Sequence, residues 1–556
     1  MKKLLFVTCI SVILLSSCED LLAWLLSESG TKTFWAVDTT KNSGDRNYYY
    51  KVNAELLFEN NLCKVYAETT SGVTEQVAKK MAAEYNVIYD KMIAAFGLEF
   101  DVEYTNGRDV EYTNGRKDRI NTIKYADALT DGDGKLTILL LDIKDGYRKG
   151  VNESYVAGYF TPYNFFKDTN SNSCDMIYID TNPALKENPE DAYSTLAHEL
   201  QHLMNFTTTL QNRNETNAQG QIIDIYLMDT WIDEGLASAA EYIYTGKHLV
   251  DRWGWYYFNG NGNGLIDKGN NFFIWGNRDH DESCGRADRD YPNCKDPANH
   301  SQYALLDDYA TVYLFFQWLR IQSSKDVGIY KDIIGYEVKP VDKEYYSNNS
   351  YVPVTEAAKT INPLYRDNWG LLLEHWLAAN YIYNPNGPYG YKNDFDFKID
   401  GTPVSIKGRH LQSTTAKNIY LYPGEGVYSK ITSSFSKPSG IYESPSTRYS
   451  LLTSTDISTS NSISNGALLT YNANSANFIM VNKEKKDPST PEQGTLTGVP
   501  ASVNIADPVN GRSVASQFRI TGPYRIGIGD VRRGGFRDLP PIDTLQLPNS
   551  LLLREE

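Results

Sequence analysis

The chain has 556 residues, with 54 Lys and Arg against 69 Asp and Glu, which gives a net charge of −15. Hydrophobic residues make up 41% of the chain, so a sizeable core can be buried and general disorder is excluded. A nucleic-acid backbone attracts basic surfaces, so this acidic balance excludes nucleic acid as an expected partner. The length predicts one large domain with additions, or several domains.

The first residues have the pattern of an export signal. Two lysines precede the short apolar run Leu4–Leu15, and small residues lead to Cys18. The segment Leu15-Ser-Ser-Cys18 resembles the bacterial lipobox, in which the cysteine is acylated and becomes the mature N-terminus. A plain signal peptide that ends near a cysteine is the alternative. We therefore predict a lipoprotein signal peptide over residues 1–17 and a tether over residues 18–45. The protein would be exported to the cell envelope or surface and held at a membrane by the lipid.

Export would place the remaining cysteines in an oxidising compartment, where disulfides form. These are Cys63, Cys174, Cys284 and Cys294. The last two are close together in a polar stretch, so a local Cys284–Cys294 bridge is the preferred pairing, and free thiols are the alternative. No C-x-x-C pair occurs, which disfavours a cysteine-based zinc or redox site.

The elements that follow alternate between strands and helices. Apolar residues at helical spacing predict a helix over residues 73–96. An eight-residue unit, residues 101–108, is then repeated as residues 109–116, and its Asn-Gly pair favours a hairpin or loop. Residues 131–134, Asp-Gly-Asp-Gly, predict a turn. The same residues match the start of a calcium loop, but the downstream bidentate Glu is missing, so Ca²⁺ is the weaker interpretation.

Further strands and helices are predicted up to residue 390, and short strands beyond it. Apolar runs predict strands over residues 135–143, 157–160 and 176–180. Asn188-Pro189 is a good start for a helix, and later helices are predicted over residues 229–244, 308–321 and 365–381. We expect an α+β fold: a mixed-sheet domain with helices over residues 46–390. A β-sandwich-like module and tail are expected over residues 395–556.

The most informative segment is His198-Glu-Leu-Gln-His202 inside the helix that begins at residue 189. Two histidines four residues apart project from one helix face and can bind one zinc ion. Glu199 lies beside the position left for water, where it can act as a general base. Solvated histidines beside a Glu are the alternative, but both lie in an apolar helix, where a buried unpaired His is costly.

A third ligand is expected on the next helix, because catalytic zinc usually has three protein ligands and water. Glu234 is the best candidate, since small residues follow it and let helices approach closely. Asp233 and Glu241 are the competing carboxylates, and Ser238 is a candidate to orient a zinc-bound His.

Taken together, His-Glu-Leu-Gln-His and the downstream Trp231-Ile-Asp-Glu-Gly-Leu-Ala237 resemble the glu-zincin metallopeptidases, and more narrowly the hyicolysin-type neutral zinc metallopeptidases. The resemblance covers roughly residues 130–385. It implies a zincin-like domain with His198, His202 and Glu234 as zinc ligands and Glu199 as catalytic base.

The donor that would stabilise the oxyanion of a tetrahedral intermediate is less well indicated. Tyr309 and Tyr313 share one face of a predicted helix, and His300 is a further candidate. Core or surface packing is the favoured interpretation for each of them. His375 lies in an apolar helix and is expected to be a core residue.

The sequence thus predicts an exported, lipid-anchored zinc endopeptidase, in which Glu199 assists attack of zinc-bound water on a peptide bond of a protein or peptide substrate. The alternative is a surface adhesin or binding lipoprotein with a structural or vestigial zinc site. Structural zinc sites tend to be closed by four protein ligands, so Glu199 beside three ligands favours the enzyme. No oligomeric state is predicted.

Overall fold

The fold is described from a computed structural model. The main described ranges are 30–41, 46–97, 134–151, 155–165, 170–216, 222–258, 269–273, 297–338, 351–385 and 387–395. Residue 266, the strands below and residues 405–406 and 424–425 are also described. The predicted signal peptide, Cys18, Cys284, Cys294 and residues 131–133 of the weaker calcium candidate lie outside these ranges.

The centre of the fold is a mixed six-stranded sheet in the order β1-β2-β3-β6-β9-β8. Strands β3, β6 and β9 pair in parallel, and the other neighbours pair antiparallel. The strands of the first half of the chain are β1 Thr31–Val37, β2 Tyr49–Glu59, β3 Cys63–Glu68, β4 Val102–Thr105, β5 Asp109–Tyr112, β6 Leu136–Leu141, β7 Tyr155–Val156, β8 Gly158–Phe160, β9 Met176–Asp180, β10 Asn214–Thr216 and β11 Ile222–Ile225.

Strand β6 shows why the sheet is central. All six of its residues are buried, as expected for a strand with parallel partners on both sides. Because side chains alternate between faces, Ile138 and Leu140 belong to the core under the helices, whereas Leu139 and Leu141 belong to a smaller core on the opposite face. The sheet is therefore covered by apolar packing on both sides.

The helices pack mainly on one face of this sheet and on each other. Their bounds are α1 Glu75–Phe96, α2 Pro189–Asn212, α3 Thr230–Thr245, α4 Val250–Phe258, α5 Pro297–Gln322, α6 Gly328–Ile334, α7 Val352–Ala358 and α8 Trp369–Ile382, with short helical turns at Pro162–Phe165, Thr181–Leu185 and Pro363–Tyr365. None of the helices in the described ranges is long and apolar enough to cross a membrane.

The connection from β9 to α2 sets the position of the second helix. Asp180 ends β9, and its two carboxylate oxygens accept the backbone N–H groups of Ile143 at 3.1 Å and Ala184 at 3.0 Å. Pro189 then begins α2 as predicted. Asn188 holds the N-cap position, but its side chain makes no capping hydrogen bond, so the proline rather than an Asn cap marks this helix start.

The structure can be compared with two predictions about the first half of the chain, the tether and the repeat hairpin. Residues 18–45 were expected to form a tether, whereas Thr31–Val37 is an edge strand that pairs with β2 and buries Phe34 and Ala36. The two repeat units contribute β4 and β5, which pair antiparallel as the predicted hairpin. Cys63 is a buried free thiol, and Cys174 is buried as well.

Residues beyond 395 are joined to the helical body. Strands β15, β16 and β17 contact α8. The Gly426 backbone pairs with Asn270, and Ile406 is fully buried in the same core as the helices. The described strands of this region are β12 Lys398–Ile399, β13 Thr402–Pro403, β14 Ile419–Leu421, β15 Gly426–Lys430, β16 Thr447–Leu452, β17 Ala467–Asn472, β18 Asn477–Ile479, β19 Gly494–Thr497, β20 Ala501–Val503, β21 Phe518–Ile520 and β22 Val531–Arg532. A β-sandwich remains a prediction, and a boundary at residue 395 would cut through shared packing.

A core substitution tests this shared packing. All nine tryptophans precede residue 395, so their fluorescence reports only on the body before that point. We expect Ile406→Ala to lower the free energy of unfolding seen by tryptophan fluorescence by about 2–5 kcal/mol. Val250→Ala, at a side chain that is 65% exposed, is the control and should change it by less than about 0.5 kcal/mol. An unchanged fluorescence transition in Ile406→Ala would mean that the later strands fold independently.

Candidate metal centre

Helix α2 presents two histidines toward α3. His198 and His202 are one turn apart, both are buried, and their ring centroids are 4.9 Å apart. The helix is amphipathic, and its apolar residues Leu196, Ala197, Leu200 and Leu203 pack in the core. Packing therefore fixes the helix on both sides of the paired rings.

Helix α3 supplies the third group. Glu234 Oε2 lies 3.4 Å from His198 Nε2 and 3.7 Å from His202 Nε2. The three candidate ligand atoms lie within 4.8 Å of one another. This is the one group of at least three His, Cys, Asp or Glu side chains in the described ranges that is close enough to hold a metal ion. The structure thus brings together the three residues predicted as ligands.

The polar atoms at this point fit a cation. His202 Nε2 and both Glu234 carboxylate oxygens are buried and make no hydrogen bond within the described residues. Burying polar atoms without partners is costly, and a bound cation would satisfy them. Two imidazole nitrogens and one carboxylate oxygen are a typical ligand set for zinc, and three protein ligands leave a position open.

The other nitrogen of each ring is held by a carboxylate from α3. His198 Nδ1 lies 3.0 Å from Glu241, which also accepts the Ser194 hydroxyl at 3.0 Å. His202 Nδ1 lies 2.8 Å from Asp233. An ionised carboxylate only accepts hydrogen bonds, so each Nδ1 donates and each Nε2 is left to face Glu234.

These contacts give different positions to the three carboxylates that are candidates for the third ligand. Glu234 faces the two Nε2 atoms, whereas Asp233 and Glu241 lie behind the rings. Ser238, the candidate for orienting a histidine, is buried, but its hydroxyl makes no hydrogen bond within the described residues. The orienting contacts come from Asp233 and Glu241 instead.

The electrostatics of His202 reflect this acidic surrounding. Burial by itself would lower the pKa of the imidazole, but the charges of Asp233 and Glu234 and the hydrogen bond with Asp233 outweigh it and raise the pKa of His202 to about 9. A metal ion binds only the deprotonated nitrogen, so a cation would compete with a proton at this ring.

Glu199 is fully buried on α2, directly after His198. Successive helix residues are separated by roughly 100° about the axis, so its side chain leaves α2 on the flank of the paired histidines. The role of Glu199 as general base stays a prediction.

The aromatic candidates for an oxyanion donor have other contacts. The Tyr313 hydroxyl accepts the Leu249 backbone N–H at 3.0 Å and lies 2.9 Å from His248 Nδ1, and burial raises the pKa of this phenol. The Tyr309 ring packs under the guanidinium of Arg252, with 4.4 Å from Cζ to the centroid. Both tyrosines are buried, and these contacts hold α5 against α4 and the turn before it.

His300 and His375 are the two remaining histidines that the sequence singled out. His300 falls within α5, but its side chain lies outside the described part of the chain. His375 hydrogen bonds to the Tyr365 hydroxyl at 2.6 Å, and burial lowers its pKa. His375 therefore has a hydrogen-bond partner, as predicted, but it is only half-buried and not a core residue.

Gly235, directly after Glu234, allows α3 to approach α5. A Cβ atom at Gly235 would lie 2.4 Å from the ring of Phe316, which is fully buried. Real Cβ atoms essentially never come this close to another heavy atom, so either the ring or the helix would have to move. The glycine therefore fixes the distance between α5 and the helix that carries Glu234.

Substitution of this glycine should disturb both packing and metal binding. We expect Gly235→Ala to lower the free energy of unfolding by about 1–3 kcal/mol, because overpacking strains a core, and to weaken zinc binding. Gly254→Ala on α4 is the matched control, since a Cβ there meets nothing within 4 Å. Thermal unfolding and zinc titration check both variants. Equal behaviour of the two variants would show that the approach of α3 to α5 is not tight.

No protein family model matches the chain. Over 209 residues the chain is 31% identical to the neutral metalloprotease ShpI of Staphylococcus hyicus. The match covers 37% of this chain and 39% of that protein, so the chain spans well under half of the relative that it matches. This similarity supports a metallopeptidase family, which is the broader part of the resemblance seen in the sequence.

Proposed function

We propose that the chain is a zinc endopeptidase with His198, His202 and Glu234 as zinc ligands and Glu199 as general base. The observation that carries the proposal is the convergence of two Nε2 atoms and one carboxylate from two helices, with the far side of each ring held by another carboxylate. The similarity to a neutral metalloprotease supports the same reaction class.

The proposed reaction is hydrolysis of a peptide bond by water. A zinc ion, when bound, supplies Lewis acidity that polarises the peptide carbonyl and makes water easier to deprotonate. Glu199 removes one proton from the attacking water as the new C–O bond forms. It then gives that proton to the leaving nitrogen as the C–N bond breaks, so the products are a carboxylic acid and an amine.

The surrounding residues contribute orientation. Asp233 and Glu241 accept from the two Nδ1 atoms and hold both rings with Nε2 toward the ligand centre. Burial of Glu199 removes competing water from its carboxylate, which strengthens its interaction with the reacting groups.

The wider assignment extends this proposal to the whole protein. We propose a domain of the hyicolysin type that is exported and tethered through a lipid on Cys18, acting on protein or peptide substrates. The lipobox-like segment supports the anchor, and the resemblance around the zinc motif supports the family.

Metal removal tests the reaction class. We expect the full-length protein to cleave an unfolded protein such as casein, to lose this activity when zinc is removed by a chelator, and to regain it when zinc is restored. The measurement is fragment release on a gel together with the zinc content of the same sample. Cleavage that persists after zinc has been removed would contradict the proposed mechanism. A zinc-loaded protein that cleaves nothing would favour the adhesin alternative.

A further inference from the structure

Arg213 ends α2 with its side chain fully buried. One terminal guanidinium nitrogen donates to the Ile334 carbonyl at 2.7 Å, at the end of α6. The other donates to the Thr209 hydroxyl at 2.6 Å, to the Asn205 carbonyl at 3.1 Å and to Asn205 Oδ1 at 2.7 Å. A buried charge is tolerated when it is hydrogen bonded, so these acceptors fix the guanidinium in one position.

The guanidinium in turn fixes the orientation of the Asn205 amide. Arg213 can only donate, so it faces the amide oxygen, and the amide nitrogen is directed the other way. That nitrogen donates to Asp233 Oδ1, and Asp233 Oδ2 lies 2.8 Å from His202 Nδ1. An unbroken line of hydrogen bonds therefore runs from Arg213 through Asn205 and Asp233 to His202.

We propose that Asn205 and Arg213 are positioning residues that set the orientation of His202 through Asp233. The inference rests on the proposed metal site. Asp233 uses one oxygen for the histidine and the other for the amide, so both of its oxygens are held. Without the amide donor, a buried carboxylate oxygen loses its partner, and the carboxylate can rotate to seek another. The ring that it orients would then be held less firmly toward the metal.

Zinc affinity of the full chain, measured by competition with a chromophoric chelator, tests the proposal without using activity. We expect Asn205→Ala to weaken zinc binding about 10-fold, because loss of a partner outside the ligand shell typically costs 10–100-fold. Thr208→Val is the matched control. Thr208 is buried on the same helix, and its hydroxyl donates to the Met204 carbonyl at 2.8 Å. Its removal should leave zinc affinity unchanged.

A double-mutant cycle separates positioning from a general loss of structure. In an Asp233→Ala background, Asn205→Ala should change zinc affinity by less than about 2-fold, because its route to His202 is already cut. Asn205→Asp keeps the size of the side chain but turns an oxygen toward Asp233, so it should also weaken binding while tryptophan fluorescence shows an intact fold. This variant decides the matter if Asn205→Ala does not fold.

The outcomes distinguish this inference from the proposed function. Wild-type affinity in Asn205→Asp, or an equal effect of Asn205→Ala with and without the Asp233 carboxylate, would overturn the inference alone. A wild-type chain that binds no zinc would overturn the metal site itself.

Discussion

Glu199→Gln is expected to reduce peptide hydrolysis by about 10²–10⁴-fold while leaving zinc bound, because general acid–base catalysis contributes roughly that factor. The amide has nearly the size of the carboxylate but cannot take a proton from water at neutral pH. Since Glu199 is not among the three grouped ligands, zinc affinity should stay close to that of the wild type. Steady-state cleavage of a quenched peptide and zinc titration measure the two effects separately.

Glu190→Gln is the matched control for this variant. Glu190 lies in the first turn of the same helix and is exposed, so the same chemical change there should leave kcat and zinc affinity unaltered. Activity that persists in Glu199→Gln would show that another group handles the proton. Loss of zinc in Glu199→Gln would instead place this residue within the ligand set.

Glu234→Ala is expected to weaken zinc binding by more than about 100-fold. Loss of a residue that only hydrogen bonds to a metal ligand costs about 10–100-fold, and loss of a ligand should cost more. The reason is that Glu234 supplies the only carboxylate oxygen in the described ranges that is grouped with the two Nε2 atoms. Removing it leaves two neutral nitrogens to hold a doubly charged ion. Chelator competition measures the affinity.

Substitutions of three other carboxylates are the controls for Glu234→Ala, and their expected effects on zinc affinity differ. Asp233→Asn and Glu241→Gln alter the contacts behind the rings and should weaken zinc binding by about 10–100-fold. Glu187→Gln, at an exposed surface ion pair with Lys149, should have no effect. If Asp233→Asn or Glu241→Gln proved more damaging than Glu234→Ala, the carboxylate that binds the metal would have been misassigned.

The helix that carries the two histidines could be predicted from the sequence because its information is local. His198 and His202 share a face by helical spacing alone, and Pro189 marks where that helix begins. Strand β6 was also evident, since five of its six residues, all except Thr137, are apolar, which fits a central strand.

The choice among neighbouring carboxylates is different, because it depends on how two helices pack. Asp233 and Glu234 are adjacent on α3, and which of them faces the Nε2 atoms follows from the approach of α3 to α2. The small residues that follow Glu234 in the sequence favoured it as the third ligand. The roles of Asp233 and Glu241 as partners of the ring nitrogens needed the tertiary arrangement.

Arg213 shows the limit of sequence reasoning most clearly. It follows α2 in a polar stretch and has no pattern that would set it apart from a surface residue. Its buried guanidinium donates to the Ile334 carbonyl, which is 121 residues away in sequence. Strand β1 is a similar case, since Thr31–Val37 is recognisable as part of the sheet only through its pairing with β2.

The most direct test of the account is anomalous diffraction at the zinc edge from crystals of the zinc-loaded protein. We predict one zinc ion bound by His198 Nε2 and His202 Nε2 at about 2.0–2.1 Å and by a Glu234 oxygen at about 2.0–2.2 Å. An anomalous peak between the two rings, with the Glu234 carboxylate turned away and no other side chain in its place, would contradict the account.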